Sequence, residues 1–364
     1  MKKLISVLIS IGILMSISVN AFASAEAAVP TTHVTAIKQV LESVAPEKEL
    51  YGFEGISLST TWISEEIPAY EVCDGSFSRI DNIAFYPIVN TFGQLISIAA
   101  VVSDAYGVSA SISSELISVL NDCFAISTNP RIALLYDDEG VYCWNGVSAV
   151  FLKDGISGCA PYRGRLSNVS ETEFSCLETA SIQKACQLNI SNSIQPCGYE
   201  DEAAYVTAPV KRQPAGSYWC WAACMASVVQ LEGKGNYTCT AMANRYTTSA
   251  TATASMDIVK DRLSSGFGLS FTHIQTNYLT HVLNSLGRGH AVIGGFTSNY
   301  SVGHMMVVRG IDFSANTFSV MDPGASGSNY HVGSIVNRSG QYGTLRYVST
   351  ASGSVYNMIE YLYL

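Results

Sequence analysis

The chain has 364 residues, 48% of them hydrophobic and only 13% charged, a balance that builds packed cores and excludes a disordered polypeptide. A formal charge of −9 excludes the net basic character of a nucleic-acid binder. Six His with neither an HExxH motif nor a paired CxxC give no zinc-enzyme signature, and no metal or organic cofactor is expected.

Met1-Lys2-Lys3 precedes a mostly apolar run to Val19 and then the small residues around Ala23 and Ala25. A charged start, a short apolar stretch and a small-residue site are the parts of a secretory signal peptide, expected over residues 1–25. The mature protein is therefore expected to be secreted and extracellular, with no membrane attachment once the signal is removed. Ten Cys then fall where disulfides persist, seven before residue 211 and three after it (Cys220, Cys224, Cys239). Both counts are odd, so pairing within each half leaves one thiol over in each.

Residues 26–210 carry a net charge of −15 and residues 211–364 one of +4. Two such halves on one chain attract each other. The first half opens with an amphipathic helix over 31–44, with Val34, Ile37, Leu41 and Val44 on one face. Strand-like runs follow at 83–89, 95–102, 132–136 and 148–152, separated by turn clusters such as Asn145-Gly146, which predicts an antiparallel meander. Residues 155–210 are weakly periodic, and the stretch from Glu200 to Arg212 is expected to be an exposed linker. The second half predicts helices over 218–231, 256–263 and 278–286. Strands over 291–296, 304–309, 317–321 and 344–348 come after them. Helices first and an antiparallel sheet afterwards make an α+β fold.

The chemistry concentrates in the second half. Cys220 stands at the first turn of an apolar helix, after a Gly/Ser turn, where the helix dipole favours the thiolate that acyl transfer needs. Among the His residues, His304 follows Gly303 and opens an apolar strand, a setting that suits a general base and acid facing a cleft. Asp322, before Pro323 on the next strand, is placed to orient that imidazole, and Gln213 to help hold an oxyanion. The alternatives are a structural half-cystine, an ordinary core His, a simple Asp-Pro turn and a solvated Gln. A disulfide between Cys224 and Cys239 is expected, which leaves Cys220 as the available thiol.

Gln213, Trp219-Cys220-Trp221-Ala222-Ala223, Gly303-His304 and Asp322-Pro323 together resemble the bacterial papain-like cysteine peptidases, in the branch with a WCWAA motif found in exported effectors and staphopain-like zymogens. The 291–295 run is also similar to the stretch before the His strand in that branch and in double-glycine leader peptidases. The resemblance covers about residues 205–364. It implies a papain-like catalytic domain, with Cys220 as nucleophile, His304 as general base and acid, Asp322 as orienting residue and Gln213 as oxyanion donor. It further implies that residues 26–204 are a propeptide, a mainly antiparallel β-rich prodomain acting as an intramolecular inhibitor. Two departures are visible. Asp before Pro stands where plant enzymes have Asn before Ser-Trp, and the Gln-to-Cys spacing is one residue longer than the commonest. The leading expectation is a secreted cysteine endopeptidase zymogen acting on proteins or peptides. A cell-wall amidase or peptidase, a transglutaminase-type acyl transferase and a non-catalytic exported binding protein are the competing classes.

Overall fold

Helix α1 (Thr31–Val44) forms where expected and buries Ala36, Ile37, Val40, Leu41 and Val44 on its apolar face. The computed structural model describes residues 29–73, 75–124, 131–154, 164–190, 203–298, 303–325 and 329–364. The expected signal peptide and linker residues 200–202 lie outside the described residues. After α1 come the strands β1 (Trp62–Ile63), β2 (Ala69–Cys73), β3 (Ser76–Arg79), β4 (Ile83–Val89), β5 (Leu95–Asp104) and β6 (Gly107–Ser113). Helix α2 (Ile117–Phe124) leads to β7 (Arg131–Tyr136), β8 (Gly140–Trp144) and β9 (Ala149–Asp154). Short pieces follow: α3 (Glu171–Ser175), β10 (Ala180–Ser181), β11 (Cys186–Gln187) and β12 (Ala203–Tyr205). The second half holds α4 (Cys220–Leu231), α5 (Cys239–Ala243), α6 (Met256–Phe267), β13 (Thr272–Ile274) and α7 (Thr280–Gly287). It ends in β14 (Val292–Ser298), β15 (Gly303–Asp312), β16 (Thr317–Met321), β17 (His331–Ser339), β18 (Tyr342–Ser349) and β19 (Ser354–Tyr363). Among the described residues no helix is long and apolar enough to cross a membrane.

The six last strands pair antiparallel in chain order, and β19 returns to pair β14, so they close into a ring. Closure leaves little open edge, and what remains on β15, β17 and β19 is taken up by β12, β6 and β13. Helix α4 packs against β15 of this barrel, and it starts two residues later than the periodicity predicts. In the first half β4, β5 and β6 form an antiparallel meander, as do β7, β8 and β9. One pairing in this half is parallel: β2 pairs β7, with Ala69 opposite Leu134.

The two halves are joined through the sheet itself. Ile112 of β6 pairs with Val332 of β17, and β12 pairs β15, so a 13-stranded sheet runs through both halves. Strand β5 shows how this is held. Eight consecutive residues are buried, with Ile96, Ala99 and Val101 in a core shared with α1, α4 and the barrel. Leu95, Ile98, Ala100 and Val102 belong to a second core against the β7–β9 sheet. From Ile98 onward the side-chain period of two sends alternate residues to opposite faces, a bulge where Val89 pairs Leu95 but Ile88 pairs Ser97 shifts the phase before it, and both faces are covered.

The expected charge attraction is present but narrow. Arg309, almost fully buried on β15, pairs with Glu47 at 3.0 Å, and Arg346 pairs with Asp104 at 2.9 Å. Both pairs join a first-half carboxylate to a second-half guanidinium. The exposed-linker expectation is corrected over 203–212. Val206 and Ala208 are buried, and Arg212 donates to the carbonyls of Asp322 and Asn329. A basic side chain looks solvent-seeking in sequence, but here backbone carbonyls take its donors.

Because Glu47 is only half-buried, Glu47→Ala should destabilise the whole chain by about 1–2 kcal/mol, below the cost of breaking a fully buried pair. Urea unfolding followed by tryptophan fluorescence should show one transition displaced to lower denaturant. Two separated transitions, with only one displaced, would mean that the halves fold independently.

Candidate active site

The segment before Cys220 is turned by Gly216, whose φ of 73° lies in the left-handed region that favours glycine. Tyr218 N–H then donates to Ala250 O at 2.8 Å. Two tryptophans anchor the residues on either side of Cys220: Trp219 Nε1 donates to Ser249 O at 2.9 Å and Trp221 Nε1 to Ala252 O at 3.0 Å. Arg262 lies over the Trp221 ring at 4.4 Å. The indoles therefore tie the helix start to the 249–252 loop. Trp219 is the N-cap of α4 and supplies no side-chain cap, so the first-turn N–H groups and the positive end of the dipole are left beside Cys220, the first helical residue.

His304 is the second residue of β15, and Asp322 comes one past the end of β16. Val307 stands opposite Met321, so the antiparallel register returns Asp322 alongside His304. His304 Nε2 lies 2.7 Å from Asp322 Oδ1, with both side chains fully buried. The imidazole is also hydrogen-bonded to Cys220. The structure thus brings Cys220, His304 and Asp322 together, in an order that permits nucleophile, base and orienting carboxylate.

The turn carrying Asp322 is braced from several sides. Asp322 Oδ1 also accepts from Gly324 N–H at 2.8 Å. Gly324 O accepts from Lys153 at 2.8 Å, and Lys153 is itself paired with Glu115 of the first half. Gln213 sits against the same turn, its backbone N–H on Pro323 O at 3.0 Å. Its Nε2 donates to Ser217 O at 2.9 Å, which uses one of two amide hydrogens, and the side chain does not line the cleft. Sequence reasoning missed Arg212 and Lys153 as supports. Nothing in a dibasic pair or an isolated strand lysine marks them.

Burial alone would lower the His304 pKa, but the Asp322 carboxylate, its hydrogen bond and the Cys220 sulfur outweigh it and raise the value well above the ordinary imidazole range. Burial would likewise raise Asp322, and the facing His304 instead holds it below the usual carboxylate range. The neighbouring thiols behave differently. Burial pushes Cys224 well up and Cys239 up to about 12, with the charge of Cys220 adding to both. The expected Cys224–Cys239 disulfide is not present: Cys239 Sγ is turned to Trp219 O at 3.5 Å, and Cys224 is enclosed on the packed face of α4. Cys220 is engaged by the imidazole and not by another half-cystine.

The other His residues have structural settings. His273, on β13, lies between Asp257 and Glu360, each at 2.9 Å. His290 faces Glu232, His33 faces Tyr86 and Ser103, and His281 stacks on Tyr363. His331 is buried, which together with the charge of Arg212 pushes it down to about 3. A cleft of about 320 Å³ opens beside Cys220 and His304, walled by Tyr218, Trp221, Phe296, Met305 and Ile359. Among the described residues no group of three or more His, Cys, Asp or Glu side chains is placed to hold a metal ion.

Stability from the raised His304 is complete below the ordinary imidazole pKa and is lost as pH rises through the raised value. Stability from the depressed Asp322 is complete above the ordinary carboxylate pKa and is lost as pH falls through the depressed value. Asp322→Asn removes the group that outweighs desolvation, so His304 should lose its proton at lower pH. Iodoacetamide alkylation of Cys220 near pH 6 should then slow by about tenfold or more, one pKa unit being a factor of ten. An unchanged alkylation profile would contradict the electrostatic coupling of the three residues.

Over residues 205–350 the chain matches the Peptidase_C39 like family. No curated protein matches it. The matched span contains Gln213, Cys220, His304 and Asp322 and begins within β12. The match supports a relationship to the cysteine peptidases, hydrolases that act on protein or peptide substrates.

Proposed function

We propose that the protein is a papain-like cysteine endopeptidase, acting outside the cytoplasm, in which Cys220, His304 and Asp322 carry the reaction. The observation that bears most weight is the fully buried 2.7 Å contact of His304 with Asp322, beside a cysteine at an uncapped helix N-terminus. In this reading the Cys220 thiolate attacks the scissile carbonyl carbon and forms a C–S bond. The carbonyl electron pair moves onto oxygen, where the Cys220 N–H receives it, joined by the second Nε2 hydrogen of Gln213 once that side chain turns into the cleft. Collapse breaks the C–N bond, and the His304 imidazolium protonates the departing amine. The imidazole then takes a proton from water, whose oxygen attacks the thioester. The acid leaves and the thiolate–imidazolium pair is restored. Asp322 holds the ring and stabilises its charged form throughout.

Residues 26–204 enter this reading differently from the occluding propeptide expected from sequence. No described residue of 29–190 lines the cleft, whereas Lys153 and Glu115 support the Asp322 turn. We take the first half to remain part of the active unit after export, with residues 1–25 as the removed segment.

The test uses the secreted full chain and an unfolded protein substrate. The wild type should hydrolyse it, and Cys220→Ala should not. Gln213→Ala should lower kcat by about 10²-fold with little change in KM, as loss of one oxyanion donor does. Mass spectrometry should find residues 29–190 retained in the active species. Hydrolysis of peptidoglycan but not of unfolded protein, or full activity in Cys220→Ala, would overturn the reading.

A further inference from the structure

One wall of the cleft takes no part in the steps above. Where β14 pairs β19 the register slips: Gly295 stands opposite Glu360 and Phe296 opposite Met358, which leaves Ile359 as an extra residue. An extra residue on one strand bends it and re-aims its side chains. Here Ile359 is left 54% exposed and Glu360 is brought to the cleft that holds Cys220 and His304. The glycine pair makes this possible. A Cβ on Gly295 would lie 2.7 Å from Glu360 Cγ and 3.1 Å from Oε1, and one on Gly294 would meet the Phe296 ring at 2.6 Å. Any larger residue would displace the carboxylate or the aromatic wall.

Glu360 is held by neighbours that leave one oxygen uncommitted. Its Oε2 accepts from His273 Nε2 at 2.9 Å and from Gln275 Nε2 at 3.3 Å, and His273 Nδ1 faces Asp257 Oδ1 at 2.9 Å. Two carboxylates face this one imidazole, so acidic groups outnumber basic ones in the cluster. No Lys or Arg lines the cleft among the described residues. Residues 211–364 hold only six acidic residues and are basic overall, so this negative wall runs against the composition of its own half.

We infer that Glu360 is a specificity-determining residue that receives the cationic side chain of a lysine or arginine in the peptide substrate. Such a side chain has an apolar stem and a charged end. Phe296, Ile359 and Trp221 offer the stem a surface, and Oε1 offers the end a partner. An uncharged side chain of equal length would desolvate the carboxylate without pairing it, and an acidic one would be repelled. The inference rests on the peptidase reading above and adds the class of substrate.

The test uses the full chain with peptides that vary one position at a time among Lys, Arg, norleucine and Glu. At one position kcat/KM for Lys or Arg should exceed that for norleucine by about tenfold or more. Glu360→Gln should collapse that ratio, and Glu360→Lys should turn the preference towards Glu, a reversal that a merely structural role would not produce. A second readout does not need proteolysis. Cys220 should react faster with a cationic aminoethyl methanethiosulfonate than with the anionic sulfonatoethyl reagent, with the modified residue identified by mass spectrometry, and Glu360→Gln should shrink the ratio severalfold. Preference for norleucine in the wild type, or ratios unmoved by both variants, overturns the inference and leaves the peptidase reading standing. Absence of any peptide cleavage with the labelling ratio still governed by Glu360 removes the peptidase reading and supports the charge-selective cleft.

Discussion

A buried carboxylate facing a buried imidazole is the constraint on which the rest depends. Neither Asp322 nor His304 has solvent to stabilise its charge, and Asp322 Oδ2 has no hydrogen-bond partner among the described residues. Each therefore depends chiefly on the other to keep its charge, with Cys220 supporting the imidazolium and Gly324 N–H the carboxylate, in a geometry good enough to offset desolvation. That demand reaches into the backbone. The antiparallel register of β15 and β16 sets the approach, the Gly324 N–H holds the carboxylate, and Arg212 and Lys153 hold carbonyls of the same turn. The sulfur is brought to the ring by a different device, two indoles tied to a loop.

Lys153 and Glu115 belong to the acidic half, so the Asp322 turn is completed by residues far away in sequence. The continuous sheet through β6 and β17 and the core shared by α1, α4 and the barrel make the same point for packing. A barrel closed on itself can still need an outside partner when one of its strands, β17, pairs with a strand beyond the ring. In this arrangement the opposite charges of the two halves contribute mainly through two guanidinium–carboxylate pairs, beside a shared apolar core.

Where burial followed a simple period, the sequence was legible. The helix Thr31–Val44 and the strand Thr317–Met321 lie where their apolar patterns place them, and the order Cys220, His304, Asp322 could be read before any contact was known. Strand β6 was hidden because its inward residues Ser109, Ser111 and Ser113 are polar by type yet buried, with Ser111 Oγ accepting from Val348 N–H. Arg212 was misread for the complementary reason, a charged residue whose donors are met by carbonyls. The Cys224–Cys239 pairing was plausible from spacing, but spacing does not say which way a sulfur points. Glu360 was invisible because a register slip opposite a glycine pair, and not a motif, brings it to the cleft.

The most direct measurement is an NMR titration of the His304 ring in the intact chain, with Cys220 first free and then blocked by methylthiolation. The buried pair predicts an imidazolium that persists well above the ordinary imidazole range and loses its proton at lower pH once the sulfur can no longer carry charge. A ring that titrates near 6.5 in both forms would contradict the coupled site at the centre of this structure.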